Sequence, residues 1–324
     1  MLVRLGLVAT FVCALVFASA ARANEDFGRW LEGVRDEALA RGIAPETLTA
    51  ALSGIAPIAR VIELDRDQPE FTLTFGDYVV RMASPERIAE ARARLADHGL
   101  LLREVGARYG VAPRFIVALW GIESNFGAHV GGFPVIAALA TLAYDGRRAE
   151  YFRQELLDAL AILDEKHITP ESMIGSWAGA MGQSQFMPSS FLRFSVDYDG
   201  DGRRDIWQTP ADVFASTANY LAQSGWNPAH TWGRPVRLAA GFDMTTAGLD
   251  AGPRPLTEWQ ALGVRRLDGS ALPAAELDAS LLLPDGAAGP AFLVYDNFHT
   301  ILTWNRSQFF GLAVGLLADG IGAD

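Results

Sequence analysis

The sequence predicts a mainly α-helical protein of the α+β kind, carrying one small β-containing insertion. Two observations lead there. Along most of residues 24–234, apolar residues recur at helical spacing between capping residues and glycine stops. From 235 to 294 the texture changes. Glycine and proline become frequent, and short alternating runs such as Val236-Arg237-Leu238 stand beside apolar runs such as Leu281-Leu282-Leu283. With 324 residues, 50% hydrophobic and 20% charged, there is room for a sizeable core in one large domain or two ordinary ones.

Residues 1–23 read as a secretory signal. Arg4 supplies the positive start, and Leu5 to Ala18 form an apolar stretch short for a membrane span. Ala21-Arg22-Ala23 matches a small-x-small cleavage site before Asn24. Cys13, the one cysteine, lies inside this segment, and Thr10-Phe11-Val12 lacks the small residues that precede a lipoprotein cysteine. The mature chain is expected to be soluble, exported to the periplasm, unlipidated and free of cysteine; an uncleaved anchor helix is the competing reading.

A helical region follows over 24–110. Asp36 to Ala40 and Pro45 to Leu52 suit short helices, each with a glycine soon after. Phe71 to Phe75 alternates like a strand and is equally compatible with an extended segment. Ser84 is a good N-cap, and Pro85 behind it opens a charged helix through Ala96. Gly99 interrupts that helix, and Leu100 to Tyr109 continue in helical register up to Gly110.

Residues 111–234 form the next region. Val111-Ala112-Pro113 starts a helix whose Phe115, Leu119, Ile122 and Phe126 mark a buried stripe, with Gly127 and the Gly131-Gly132 pair as its stop. Pro134 to Tyr144 and Arg147 to Lys166 are further helices. The small residues of Gly175 to Ser190 let backbone pass close to another helix or a ligand. Pro210 to Gln223 is a helix closed by Gly225. After the insertion, residues 295–324 return to the core, with Phe309 to Leu317 as a closing helix.

Glu123 is the candidate acid of this chain. It lies one turn beyond Leu119, so its carboxyl emerges at the edge of an apolar helix face. Partial loss of solvation there disfavours the ionised form, as a general acid near neutral pH requires. An ordinary edge glutamate reaching out to water is the plainer alternative.

Asp197-Tyr198-Asp199-Gly200-Asp201-Gly202-Arg203-Arg204-Asp205 places oxygen donors at loop positions one, three, five and nine and glycine at six, the EF-hand arrangement for Ca2+. Position twelve departs from it: Gln208 replaces the bidentate glutamate, and Asp212 could close a longer loop. The expected ligands are Asp197, Asp199, Asp201, Asp205 and Asp212, around a structural calcium; a solvated acidic turn is the plainer alternative. Other chemistries fit poorly. The five histidines are scattered, no mature thiol remains, and neither phosphate-binding glycine fingerprint is present, so no organic cofactor is expected. A net charge of −11 argues against nucleic acid or an anionic membrane surface as partner.

Taken together, Trp120-Gly121-Ile122-Glu123-Ser124-Asn125-Phe126-Gly127, then Gly175-Ser176-Trp177-Ala178-Gly179-Ala180-Met181-Gly182 leading into Gln185-Phe186-Met187-Pro188-Ser189-Ser190, then the calcium-type loop, resemble the B-type lytic murein transglycosylases in order and spacing. The resemblance runs from about Phe71 to the C-terminus. It implies a lysozyme-like helical core with an extra helical domain and a small β-containing domain. It also implies cleavage of the β-1,4 bond between N-acetylmuramic acid and N-acetylglucosamine in peptidoglycan glycan strands.

By the same resemblance Glu123 is the sole catalytic acid/base, and Ser176, Gln185, Tyr78, Tyr220 and Asn305 are substrate-binding residues. Trp304-Asn305 takes the place of a Tyr-Asn pair, so Asn305 carries over and the tyrosine does not. Phe310 stands where tyrosine can occur, which removes a hydroxyl from that wall. These two departures bear on the sugar contacts there rather than on the reaction. Two further readings remain on the residues alone: a calcium-stabilised module that binds wall glycan without cutting it, and a hydrolytic muramidase on the same fold.

Overall fold

The computed structural model describes residues 25–66 and 73–322. The signal segment over 1–23 and the first two residues of the alternating run at 71–75 lie outside the described residues. The chain is mainly helical with a small sheet, as expected. The first helices are α1 over 25–40, α2 (Pro45–Leu52), α3 (Ala59–Arg66), α4 (Phe75–Met82), α5 (Pro85–Asp97), α6 (Gly99–Tyr109) and α7 (Pro113–Ser124). Then come β1 (Phe133–Pro134), α8 (Val135–Asp145), α9 (Ala149–Asp164), β2 (Ile174–Gly175), α10 (Pro188–Phe194) and α11 (Pro210–Gln223). The last part holds β3 (Gly233–Arg237), β4 (Arg254–Pro255), α12 (Leu256–Ala261), β5 (Arg265–Arg266), β6 (Asp278–Leu282), β7 (Ala291–Val294), α13 (Asp296–Trp304) and α14 (Gln308–Gly322). No helix among the described residues is long and apolar enough to cross a membrane.

The described residues form two compact units, one within 1–68 and 130–193, the other within 69–129 and 194–324. In the first, α8 buries every side chain from Val135 to Ala143 and packs along α9, with α2 and α3 against this pair. Two buried carboxylates are tied down locally. Asp65, 2% exposed, accepts from Arg148 at 2.6 Å and pairs with Arg147 at 3.3 Å, joining α3 to the start of α9. Glu155 accepts from the backbone N–H and hydroxyl of Ser189 at 2.9 and 2.7 Å, which fixes the first turn of α10. Burial holds that carboxyl above its usual pKa range. The glycine-rich stretch does pass close to a helix: a side chain at Gly179 would collide with Leu139, and one at Gly175 would meet Val135, both on α8.

The second unit is organised around α7, against which α14, α5, α11 and α6 all pack. Phe115 to Gly121 are buried without a break. The spacing predicted only a stripe; with neighbours on every side, residues 115–121 are apolar all round because this stretch leaves water. Phe75 to Met82 is a helix, so Phe75, read as the end of the strand-like or extended run 71–75, instead opens α4. Thr74 caps it, accepting from the N–H of Asp77 at 3.2 Å, and Phe75, Tyr78, Val79 and Met82 recur at helical spacing. Helices α12 and α13 also went unread.

The small sheet begins at Gly233 and has order β4-β6-β7-β3-β5, all pairs antiparallel. Leu282, Phe292 and Val294 face the helical core, whereas Ala279, Leu281, Ala291 and Leu293 face a second core around Trp259. A strand covered on both faces needs apolar residues at successive positions, which accounts for the Leu281-Leu282 run.

Gly315 of α14 lies against the ring of Trp232, which is fully buried, and a Cβ at this position would overlap the indole. Gly315→Ala should therefore destabilise by about 1–3 kcal/mol through overpacking, although alanine is the better helix former. Gly33→Ala in α1, where a Cβ meets nothing within 4 Å, should stabilise by about 0.5–1 kcal/mol. Urea unfolding of the two variants checks the opposite signs.

Candidate active site

Glu123 sits in the last turn of α7. The helix ends at Ser124, and three residues with positive φ follow: Asn125 (51°), Phe126 (57°) and Gly127 (83°). The stop comes from Asn125 in the left-handed conformation, with Gly127 two residues later. Phe126 folds back so that its ring lies on Gly121; a Cβ there would be 2.7 Å from Phe126 Cε1. The helix end also meets a cation, although the Gly121 carbonyl already accepts from the N–H of Asn125 at 3.0 Å. Arg87 donates to the Gly121 carbonyl at 3.0 Å and to Asn125 Oδ1 at 3.1 and 3.3 Å. Positive charge at a helix C-terminus is also favoured by the helix dipole. The Ser124 hydroxyl, buried, accepts from the N–H of Gly127 at 3.0 Å.

These contacts hold the Glu123 carboxylate, itself half-buried, at a cleft of about 320 Å³. Leu73, Tyr78, Arg81, Met82, Ile122, Asn305 and Phe310 line it together with Glu123. A second cleft of about 620 Å³ shares Leu73, Tyr78 and Asn305 and continues along Arg306 to Phe309. The structure thus brings Tyr78 and Asn305 to Glu123. Arg81 and Met82 went unread, although they follow Tyr78 by three and four residues on a helix and so share its face.

Tyr220 is placed differently. It is 8% exposed, its hydroxyl donates to the Thr303 carbonyl at 2.7 Å, and its ring stands 4.6 Å from that of Trp304. Trp304 in turn donates its indole N–H to Glu123 Oε1 at 2.7 Å.

Ser176 and Gln185 belong to the other unit, where both support the glycine-rich loop. Ser176 Oγ accepts from the N–H of Ala180 at 3.0 Å. Gln185 has positive φ, 48°, and its side-chain amide donates to the carbonyls of Gly182 and Val130 at 2.8 and 3.1 Å. Holding a non-glycine residue in that conformation is the kind of local strain found at binding sites.

In the acidic loop, oxygens of Asp197, Asp199 and Asp212 lie within 4.8 Å of one another. Asp212, fully buried in the first turn of α11, accepts from the N–H groups of Tyr198 and Asp205 at 2.8 and 2.7 Å and so closes the loop. Burial raises its pKa against those two bonds, and the charges of Asp199 and Asp197 push the same way. Asp197 accepts from the N–H groups of Gly200 and Gly202 at 2.7 and 2.9 Å. The other two acids turn elsewhere: Asp201 pairs with Arg203 at 3.0 Å, and Asp205 accepts from the N–H groups of Trp207 and Gln208, both at 2.9 Å. A pre-folded loop with three converging hard oxygen donors fits a calcium-sized cation.

A family model described as transglycosylase SLT domain matches residues 26–319. Membrane-bound lytic murein transglycosylase B of Escherichia coli (strain K12) is 34% identical over 220 residues, 66% of this chain and 58% of that protein's length. Among solved structures, SltB3 from Pseudomonas aeruginosa, in complex with NAG-anhNAM-pentapeptide, superposes with a TM-score of 0.89 at 50% identity, covering 91% of this chain and 79% of that one. The Escherichia coli lytic transglycosylase Slt35 in complex with calcium gives a TM-score of 0.77 at 28% identity, covering 93% of both chains. The expected lysozyme-like helical fold is the fold of these neighbours.

Proposed function

Because the chain belongs to the transglycosylase SLT domain family, we propose that it is a lytic murein transglycosylase. It would cleave the β-1,4 bond between N-acetylmuramic acid and N-acetylglucosamine in peptidoglycan, with Glu123 as sole general acid/base. The observation that carries this reading is the cleft: among the described residues lining it, Glu123 is the one carboxylate. Ordinary glycosidases place a second carboxyl group roughly 5 to 9.5 Å from the first, as nucleophile or as base for water. With one group, the same residue serves twice. Glu123 protonates the leaving oxygen as the C1–O bond breaks, and the substrate's own N-acetyl group stabilises the cationic carbon. The resulting carboxylate then takes the proton of the muramic acid C6 hydroxyl as O6 bonds to C1. That hydroxyl is already bound, so its effective concentration outcompetes water. The anhydro sugar in the SltB3 complex is consistent with this product.

Tyr78 and Asn305 are proposed to contact the glycan from the cleft wall, and Ser176 and Gln185 from the glycine-rich loop. Tyr220 acts in this reading through Trp304 rather than as an open wall residue. Calcium is proposed as a structural ion on Asp197, Asp199 and Asp212; the carboxylates of Asp201 and Asp205, also expected as ligands, would have to leave their present partners to join. The ion would neutralise the converging charges and do no chemistry on the glycan.

Glu123→Gln keeps the shape but cannot give up a proton at neutral pH. Digestion of purified sacculi should slow by about 10⁴ or more, the upper end of general acid–base effects, with an unchanged melting temperature. Wild-type products should end in 1,6-anhydromuramic acid, each one water lighter by mass spectrometry than its hydrolysed counterpart. Reducing-end products alone would make the protein a muramidase, and bound but uncut glycan a binding module.

Calcium at one hundred times its dissociation constant should stabilise the fold by roughly 2.7 kcal/mol, read as a melting temperature that falls with chelator and recovers with calcium. Asp199 is exposed, so Asp199→Ala should abolish that response and leave the chelated melt unchanged. Export is expected to remove residues 1–23, and N-terminal sequencing of periplasmic protein should start at Asn24.

A further inference from the structure

We propose that Trp304 positions the Glu123 carboxyl group and divides its two oxygens, anchoring Oε1 and leaving Oε2 to carry the transferable proton. The inference rests on the reading of Glu123 as acid/base. The indole Nε1–H donates to Oε1 at 2.7 Å, the length of a charge-assisted bond. An indole N–H is a donor only and neither accepts nor releases a proton in the working range. A proton on Oε1 would crowd the indole hydrogen on the same oxygen and weaken the bond. A proton on Oε2 leaves Oε1 carbonyl-like, and it still accepts. One contact therefore orients the carboxyl both before the leaving oxygen is protonated and after, when the carboxylate must turn to the C6 hydroxyl.

The anchor is itself held. Trp304 ends α13, and a helix end leaves its last carbonyls without partners inside the helix. Tyr220 donates to the carbonyl of Thr303 at 2.7 Å, and its ring lies between Phe194, at 4.3 Å, and Trp304, at 4.6 Å. Tyr220 belongs to α11, which packs on α7. The indole is thus fixed from the same helix layer that carries Glu123. The tyrosine that the resemblance leads one to expect at 304 could both donate and accept through its hydroxyl. Tryptophan has a donor and no acceptor, so its contact is made with a carboxyl oxygen that accepts.

The test is steady-state cleavage of purified peptidoglycan by wild type, Trp304→Phe, Trp304 replaced by 3-benzothienylalanine, and Glu123→Gln. Benzothienylalanine keeps the two-ring shape and puts sulfur where the N–H was, so packing is preserved. Both Trp304 variants should lose about 10- to 100-fold in kcat, the scale of a misoriented catalytic group, with KM within about twofold and the melting temperature of the benzothienyl variant unchanged. Wild-type kcat in the benzothienyl variant would overturn the proposal, whether or not Trp304→Phe is impaired, because the ring and not the N–H would then matter. An inactive Glu123→Gln beside fully active Trp304 variants overturns the positioning role alone. An active Glu123→Gln overturns the acid/base reading itself.

Discussion

Helix α7 is apolar on every side, yet its last turn has to present a carboxylate to a cleft. Much of the second unit follows from that constraint. A helix enclosed by α5, α6, α11 and α14 cannot tilt to expose a polar face, so the acid can emerge only where the helix stops. Stopping it abruptly requires left-handed backbone at Asn125 and Phe126, which is costly for residues with a Cβ. The cost is offset by the Phe126 ring on Gly121 and by Arg87, which takes up the Gly121 carbonyl and the Asn125 side chain. The glycine in Trp-Gly-Ile-Glu is there for the phenylalanine that follows it.

From that fixed end a line of contacts runs through the unit. Glu123 meets Trp304, the Trp304 ring packs at a tilt against Tyr220, and Tyr220 lies on α11, whose first turn holds Asp212. Asp212 closes the acidic loop by accepting two backbone N–H groups, so the loop conformation and the start of α11 are one structural feature. A carboxylate in a helix first turn is favoured by the dipole, but burial and two neighbouring carboxylates work against its charge. The calcium proposed for the loop would resolve that conflict and, with it, secure the helix that packs on α7.

The small sheet contributes in another way. By facing the helical core with Leu282, Phe292 and Val294 and its own core with Leu281 and Leu293, it carries two hydrophobic layers on one set of strands. Its last strand leads directly into α13, so the sheet sets the entry of the helix that delivers Trp304 and Asn305.

Local rules determined a great deal. Capping and glycine signals placed α2, α5, α6 and α11 close to their observed limits, since those preferences are written in a few adjacent residues. The EF-hand spacing found the acidic loop, and the motif around Glu123 picked out a carboxyl that lines the cleft. The helical spacing of Phe75, Tyr78, Val79 and Met82 was present but was overshadowed by the alternation just before it. Tertiary structure alone decided what depended on partners distant in sequence. The burial of α7 on all sides, the capture of its end by Arg87, and the turn of Asp201 toward Arg203 are of this kind. So is the meeting of Trp304 with Glu123, 181 residues apart. No pattern in a single stretch encodes such a bond, because it exists only where two helix ends, each fixed by its own packing, are brought to one place.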